Sequence, residues 1–196
     1  AFDYSGYSVS LSADGSTVAI GAYDNDGNGD GSGHVRIYQY INSSWVQLGA
    51  DIDGEAAFDD SGSSVSLSAD GSTVAIGAPY NDGNGDGSGH VRVYQYIDSS
   101  WQQLGTDIDG EAQYDLSGYS VSISADGSTV AIGALFNDGS GSDAGHVRVF
   151  SLGLSNDNFE GRAELGGVSD VVISGSLDTA TSQWAAGEPD LSDYAQ

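Results

Sequence analysis

A segment beginning Ser5-Gly6-Tyr7-Ser8-Val9-Ser10 returns as Ser61-Gly62-Ser63-Ser64-Val65-Ser66 and again from Ser117, a period of 56 residues. A fixed period of this length marks a repeat architecture, in which each unit buries its apolar faces only against its neighbours. The first two repeats agree at most positions, and the third follows the same plan to about Phe150. Ala1 to Tyr4 matches Ala57 to Asp60, so the sequence opens in the last residues of a repeat. The repeats run about 5–60, 61–116 and 117–152, and residues 153–196 leave the pattern.

Each repeat reads as four short strands. Ser8 to Ser12 alternates, with Val9 and Leu11 on one face and serines on the other. Asp14-Gly15 marks a tight turn into Ser16 to Ala22, where Val18 and Ile20 oppose the small residues Ala19 and Gly21. A Gly/Asp/Asn loop, Asp24 to Gly33, leads to a third strand, His34 to Ile41. Asn42-Ser43-Ser44 turns the chain into a fourth, Trp45 to Leu48. No sustained apolar period of 3.6 residues argues for a helix. The expected fold is all-β: tandem four-stranded antiparallel propeller-type blades with a short β-rich C-terminal segment. A closed ring takes roughly 4–8 blades. Three repeats are too few for an ordinary ring, so blades lie outside the sequence, copies associate, or the blades stack openly.

Charge narrows the partners. There are 29 acidic residues against 4 basic ones, no lysine, and a net charge of −25. Nucleic acids and anionic membranes need a cationic patch, so neither is expected as a partner. Such a surface suits cations and high salt. An acidic, Gly-rich chain can also be disordered, but regularly spaced apolar residues with 3 Trp, 11 Tyr and 5 Phe argue otherwise. Without cysteine there are no disulfides and no thiolate metal sites. No apolar run approaches the ~20 residues of a membrane span. The opening residues do not resemble a signal peptide, so a secreted form would be mature or trimmed.

Two motifs carry a family resemblance. Ser61-Gly62-Ser63-Ser64-Val65-Ser66 stands where the FG-GAP repeats of integrin-type propellers have their Phe-Gly-x-Ser-Val start, and Val74-Ala75-Ile76-Gly77-Ala78-Pro79 matches their Gly-Ala-Pro end. Residues 1–150 resemble that family. Serine replaces the first Phe in every repeat, and Pro79 corresponds to Tyr23 and Leu135. The family carries its Asp-rich calcium loop between the two motifs. Here that stretch is a short Ala-Asp-Gly turn, and the Asp-rich loop follows Gly-Ala, so metal ligands are read from local chemistry.

Asp24, Asp26, Asn28 and Asp30 alternate with Asn25, Gly27 and Gly29. Ca²⁺ takes six to eight oxygens, and alternating short carboxylate and amide side chains can wrap one ion. The second repeat keeps Asp82, Asn84 and Asp86 but has Tyr80 first, while the third keeps Asp138 with Asp143 displaced. These nine residues are the expected Ca²⁺ ligands; the competing reading is an ordinary Asn/Asp/Gly turn. No glutamate follows at the twelfth position, so the loop is not an EF-hand. A second acidic run, Asp51-Ile52-Asp53-Gly54-Glu55, returns at Asp107-Ile108-Asp109-Gly110-Glu111 and reads as a solvated turn between blades, with metal binding the lesser alternative.

His34, His90 and His146 each open a His-Val-Arg strand and read as structural, with Arg36, Arg92 and Arg148 paired to repeated carboxylates. Trp45 and Trp101 read as packing residues. Because nearly every candidate comes in triplicate, the chain is expected not to be an enzyme. Tyr7/Ser63/Tyr119, Tyr23/Pro79/Leu135 and Asp24/Tyr80/Phe136 vary on the constant frame, as contact loops or by drift. Asn42-Ser43-Ser44 is a weak glycosylation sequon. In the tail, Asn156 to Phe159, Val171 to Ser176 and Gly187 to Pro189 resemble the start of a bacterial surface β-sandwich module, or serve as a strand-exchange segment.

The expected function is a secreted or cell-surface, calcium-binding repeat protein with a structural or adhesive role. Its partners would be copies of itself, assembling head-to-tail into filaments, or other surface proteins and glycans. The alternatives are a monomeric glycan- or protein-binding propeller domain and a non-catalytic part of an extracellular hydrolase.

Overall fold

The computed structural model describes residues 2–152 and 169–173. All regular structure in it is β, in three antiparallel sheets, one per repeat. Blade one holds β1 (Ser8–Leu11), β2 (Thr17–Ala22), β3 (His34–Ile41), β4 (Ser44–Gln47) and β5 (Ile52–Asp53). Blade two repeats the plan as β6 (Ser64–Leu67), β7 (Thr73–Ala78), β8 (His90–Ile97), β9 (Ser100–Gln103) and β10 (Ile108–Asp109). Blade three has β11 (Ser117–Ile123), β12 (Thr129–Ala134), β13 (His146–Ser151) and β14 (Ser169–Ile173).

Within a blade the strands meander. Asp14 closes the first hairpin by accepting from Ser12 Oγ at 2.7 Å and the Ser16 amide at 2.9 Å, while Gly15 takes φ +70°. The fourth strand is split. β4 pairs with the end of β3, and after Gly49 the two residues of β5 pair with its start, Ile52 opposite Val35 and Asp53 opposite His34. The run expected as a solvated turn is therefore half strand, and Ile52 is buried. β14 takes the fourth place in blade three, pairing with β13 from Val147–Ile173 to Ser151–Ser169. The other tail motifs, Asn156 to Phe159 and Gly187 to Pro189, lie outside the described residues.

Blade two is an interface on both faces. Ala19, Val35, Ile37 and Ile52 of blade one pack against Leu67, Val74 and Ile76 of blade two. One period later, Ala75, Val91, Val93 and Ile108 pack against Val130, Ile132 and Phe150. Burial of these residues against neighbouring blades is the main force holding the stack, since no blade has a core of its own.

The serine face of the first strand is not solvated. Ser8 Oγ donates to the Gly62 carbonyl at 2.6 Å, and Ser10 Oγ accepts from the Leu67 amide at 2.9 Å. Ser64 and Ser66 make the same bonds to Gly118 and Ile123, at 2.7 and 3.0 Å. Ala13 donates its amide to Ala69, and Ala69 to Ala125, at 2.8 Å each. These bonds form a seam that repeats from blade to blade.

Candidate functional site

The loops expected to bind calcium are shaped by their own hydrogen bonds. Asn25 Oδ1 accepts from the Gly27 amide and Asp26 Oδ1 from the Gly31 amide. Asn28 Nδ2 donates to the carbonyls of Gly54 and Glu55, at 2.8 and 3.1 Å, tying the loop to the exit of its own repeat. The second loop copies this: Asp82 Oδ1 accepts from Gly87, and Asn84 Nδ2 donates to Gly110 and Glu111. Asp86 Oδ2 lies 3.4 Å from the Tyr114 hydroxyl. In the third loop Asp138 Oδ1 accepts from the Asp143 amide at 2.7 Å. Asp30 holds the linker through its backbone carbonyl, which accepts from Phe58.

Asp24 differs. It faces Asp60 across Gly31, and burial, with Asp24 and Asp59 nearby, pushes the Asp60 carboxyl up to about 6. The repeat counterparts are apolar together, Tyr80 for Asp24 and Leu116 for Asp60. Because folding raises this acid from its ordinary 3.8, its ionised form opposes folding. That opposition is complete above the folded value and gone below the unfolded one. Asp60→Asn is therefore expected to raise Tm at pH 7.5 and to leave it unchanged below about pH 4. A thermal-melt series across that range checks this.

The histidines form the tighter constellation. The β5 and β10 strands bring acidic side chains beside the histidines that open β3 and β8. His34, Asp51 and Asp53 make one group; Glu55, His90 and Asp107 make another. In each, the donor atoms lie within 4.8 Å of one another, an arrangement able to hold a metal ion.

The two groups differ in composition. In blade one Arg36 holds Asp51, with Nη2 and Nε at 2.8 and 2.9 Å, and this ion pair lowers the Asp51 carboxyl pKa. His34 Nδ1 is 4.0 Å from the same carboxylate. In blade two, Glu55 arrives from the preceding repeat. His90 is 1% exposed, with Nδ1 at 3.6 Å from Asp107 and 3.9 Å from Glu55. Arg92 is also buried, donating to the Asp53 carbonyl at 2.8 Å and lying 3.5 Å from Glu55. Burial, then the nearby Arg92 charge, holds the His90 pKa below its ordinary value and keeps the ring neutral. Burial pushes the Glu55 carboxyl up, with Asp107 adding to the shift and Arg92 opposing it. In blade three, His146 faces Glu111 at 3.4 Å, and no further acid joins them in a metal-sized group among the described residues.

The complete set of His, Arg, own-blade Asp and preceding-blade Glu thus occurs once among the described residues, at the junction of blades one and two. Sequence reading weighed this acidic run as a turn, because Glu55 and His90 meet only through blade stacking. The recurrence of both motifs at one period was the available signal.

No protein-family model and no curated protein matches the sequence. Solved structures match in fold. A protein from Bacteroides uniformis provisionally designated a 6-phosphogluconolactonase superposes with a TM-score of 0.51 at 14% identity, over 83% of this chain and 39% of its own. KlAtg21, solved with the coiled coil of AgAtg16, gives 0.50 at 13%, over 74% of this chain and 39% of its own. The periplasmic gluconolactonase PpgL of Pseudomonas aeruginosa gives 0.45 at 19%, over 74% and 38%. The chain therefore spans about two-fifths of the length of these structures.

The likeness to the first two bears out the all-β, propeller-type fold. It also corrects the expectation that the chain is not an enzyme. A protein named for lactonase chemistry shares the fold, so a repeated framework does not exclude catalysis. The physical reason is visible at the junctions. Repeated residues assemble into unequal sites, because the second borrows Glu55 from the repeat before it while the first draws on its own repeat alone.

Proposed function

We propose that this chain is a propeller-type repeat module whose two end faces pair with each other between copies, giving head-to-tail assembly. The observation that carries this reading is that the end faces are the two halves of the seam already formed twice inside the chain. On blade one, Val9 and Leu11 are 63% and 60% exposed, whereas Leu67, the counterpart of Leu11, is 7% exposed beneath blade one. Gly6, at φ +93°, keeps the left-handed backbone with which Gly62 and Gly118, at +88° and +87°, present their carbonyls. On blade three, Ser120, Ser122 and Ala125 repeat the serines and amide that clasp the next blade, and Val147 is 49% exposed. Docking would set Ser120 on the Gly6 carbonyl of a second copy and Ser122 on its Leu11 amide. An interface between different faces that does not close on itself builds filaments.

Light scattering over a range of protein and salt concentrations tests the proposal. Masses are expected to climb above 20.0 kDa, and to climb further with salt, which screens the repulsion between copies of charge −25. Gly133→Ala adds a methyl where the incoming Gly6 carbonyl would lie, and is expected to hold the chain as a folded monomer. A wild-type chain that stays at 20.0 kDa throughout, or an assembly indifferent to Gly133→Ala, would overturn the reading.

Calcium belongs to this proposal at the first loop, where Asp24 and Asp60 face one another and a divalent cation relieves their repulsion. Calcium should then raise the Tm of the wild-type chain but not of Asp60→Asn. The acidic, lysine-free and cysteine-free composition supports a secreted or cell-surface setting, and the two repeat motifs support kinship with FG-GAP blades.

A further inference from the structure

We infer that Glu55, His90 and Asp107 form a binding site for a divalent transition cation of the zinc class, placed so that the ion ties blade one to blade two. Three features carry this. The first is geometry. A four-coordinate zinc ion with bonds of roughly 2.0–2.2 Å needs donor atoms on the order of 3.3 Å apart. His90 Nδ1 stands 3.6 Å from Asp107 Oδ2 and 3.9 Å from Glu55 Oε2, so a few tenths of an ångström of closure reaches it.

The second feature is a nearly buried imidazole that bonds to neither acid facing it. The His90 side chain is 2% exposed, and neither carboxylate reaches its Nδ1 at hydrogen-bonding distance. The ring is nearly enclosed and bonds to neither acid, so the three donor groups leave between them a gap that an ion can fill. At the sister junction His146 Nε2 is buried with no hydrogen-bond partner beside Glu111.

The third feature is the charge and the donor set. Arg92 engages Glu55 through Oε1 at 3.5 Å and is anchored on the Asp53 carbonyl, which leaves Oε2 turned to His90. Supporting groups of this kind orient ligands in metal sites. One guanidinium does not balance Glu55 and Asp107 together, and Asp109 and Asp59 add negative potential at His90. One imidazole and two carboxylates favour a zinc-class ion over calcium, which binds oxygens alone. Glu55 and Asp107 are 44% and 27% exposed, giving the ion a way in. Three protein ligands leave a fourth position for water, as in zinc sites that act chemically.

Calorimetry with Zn²⁺ on the full chain, repeated with Co²⁺ in visible absorption, tests the site. The wild-type chain should bind one ion with a raised Tm, and Co²⁺ should show the intense bands of a four-coordinate, nitrogen-containing site. His90→Gln and Glu55→Gln should each weaken binding by about 10-fold or more, with circular dichroism unchanged. Asp26→Asn, in the first loop, should bind as the wild type does. A chain that binds Zn²⁺ no better than Ca²⁺, or whose zinc affinity survives both His90→Gln and Glu55→Gln, would overturn the inference. Should His90→Gln unfold, Glu55→Gln decides, because Glu55 is a partly exposed linker residue. The monomer contains the whole site, so zinc binding without assembly would leave this inference standing while the assembly proposal fell.

Discussion

Gly77→Ala is expected to cost about 3 kcal/mol or more of folding stability, while the same change one period later, Gly133→Ala, costs less than about 1. The new methyl at position 77 would press into the Gly118 carbonyl oxygen and Ser64 Oγ. Neither can retreat, because Ser64 donates to that same carbonyl at 2.7 Å and Gly118 has its backbone turned to φ +87° to present it. Overpacking against main chain forces two blades apart, and the apolar surface between them loses contact. At position 133 the methyl meets the Ser120 side chain, with no backbone of another blade in reach. Urea midpoints for the two variants at low protein concentration measure the difference. Equal losses would mean that the close approach of Gly77 to Gly118 is not what holds blades two and three together. The pair also separates fold from assembly, since Gly133→Ala acts chiefly where a second copy is bound.

Alternation in Ser8 to Leu11 was enough to assign a strand and its two faces, and the 56-residue period was enough to assign a stack. What covers each face was not legible. The serines read only as the face opposite Val9 and Leu11, and Ser8 and Ser10 hold the backbone of the next blade. A period of two states that two faces differ; it does not say that both are buried. β5 was missed for a related reason. Ile52-Asp53 between Asp51 and Gly54 has the composition of a turn, and only pairing with His34 and Val35, which no local pattern encodes, makes it a strand. The candidate site followed the same logic. Ligand spacing within a loop picked out Asp26, Asn28 and Asp30. Loop acids at that spacing can equally be satisfied by the loop's own amides, as Asp26 is by Gly31. The Glu55–His90–Asp107 group draws on residues far apart in sequence. Its members were visible as recurring motifs, but their meeting depends on how one blade sits on the next.

Trp101→Ala is expected to cost about 2–4 kcal/mol, against less than about 1 for Trp45→Ala, although the two tryptophans occupy one repeat position. Their local surroundings match: each ring leans on a tyrosine of its own blade, Trp45 on Tyr40 at 5.3 Å and Trp101 on Tyr96 at 5.1 Å. Only Trp101 has a preceding blade in reach among the described residues. Its Nε1 donates to the Leu48 carbonyl at 2.7 Å, and its ring covers Gly49, where a side chain would collide with it. That contact plugs the break between β4 and β5 and joins the apolar cluster under blade one. Truncation removes the ring from the cluster and strips a partly buried carbonyl of its donor, two losses that act together. Trp45, 48% exposed, covers no such break. Double-mutant comparison of Trp101→Ala with Gly49→Ala, scored by thermal unfolding, should give strongly non-additive losses, because both changes disrupt one plug. Additive losses, or a Trp45→Ala cost equal to that of Trp101→Ala, would show that the tryptophans act within their own blades. Stability in this chain would then be local to the repeat instead of lying in the seams between repeats.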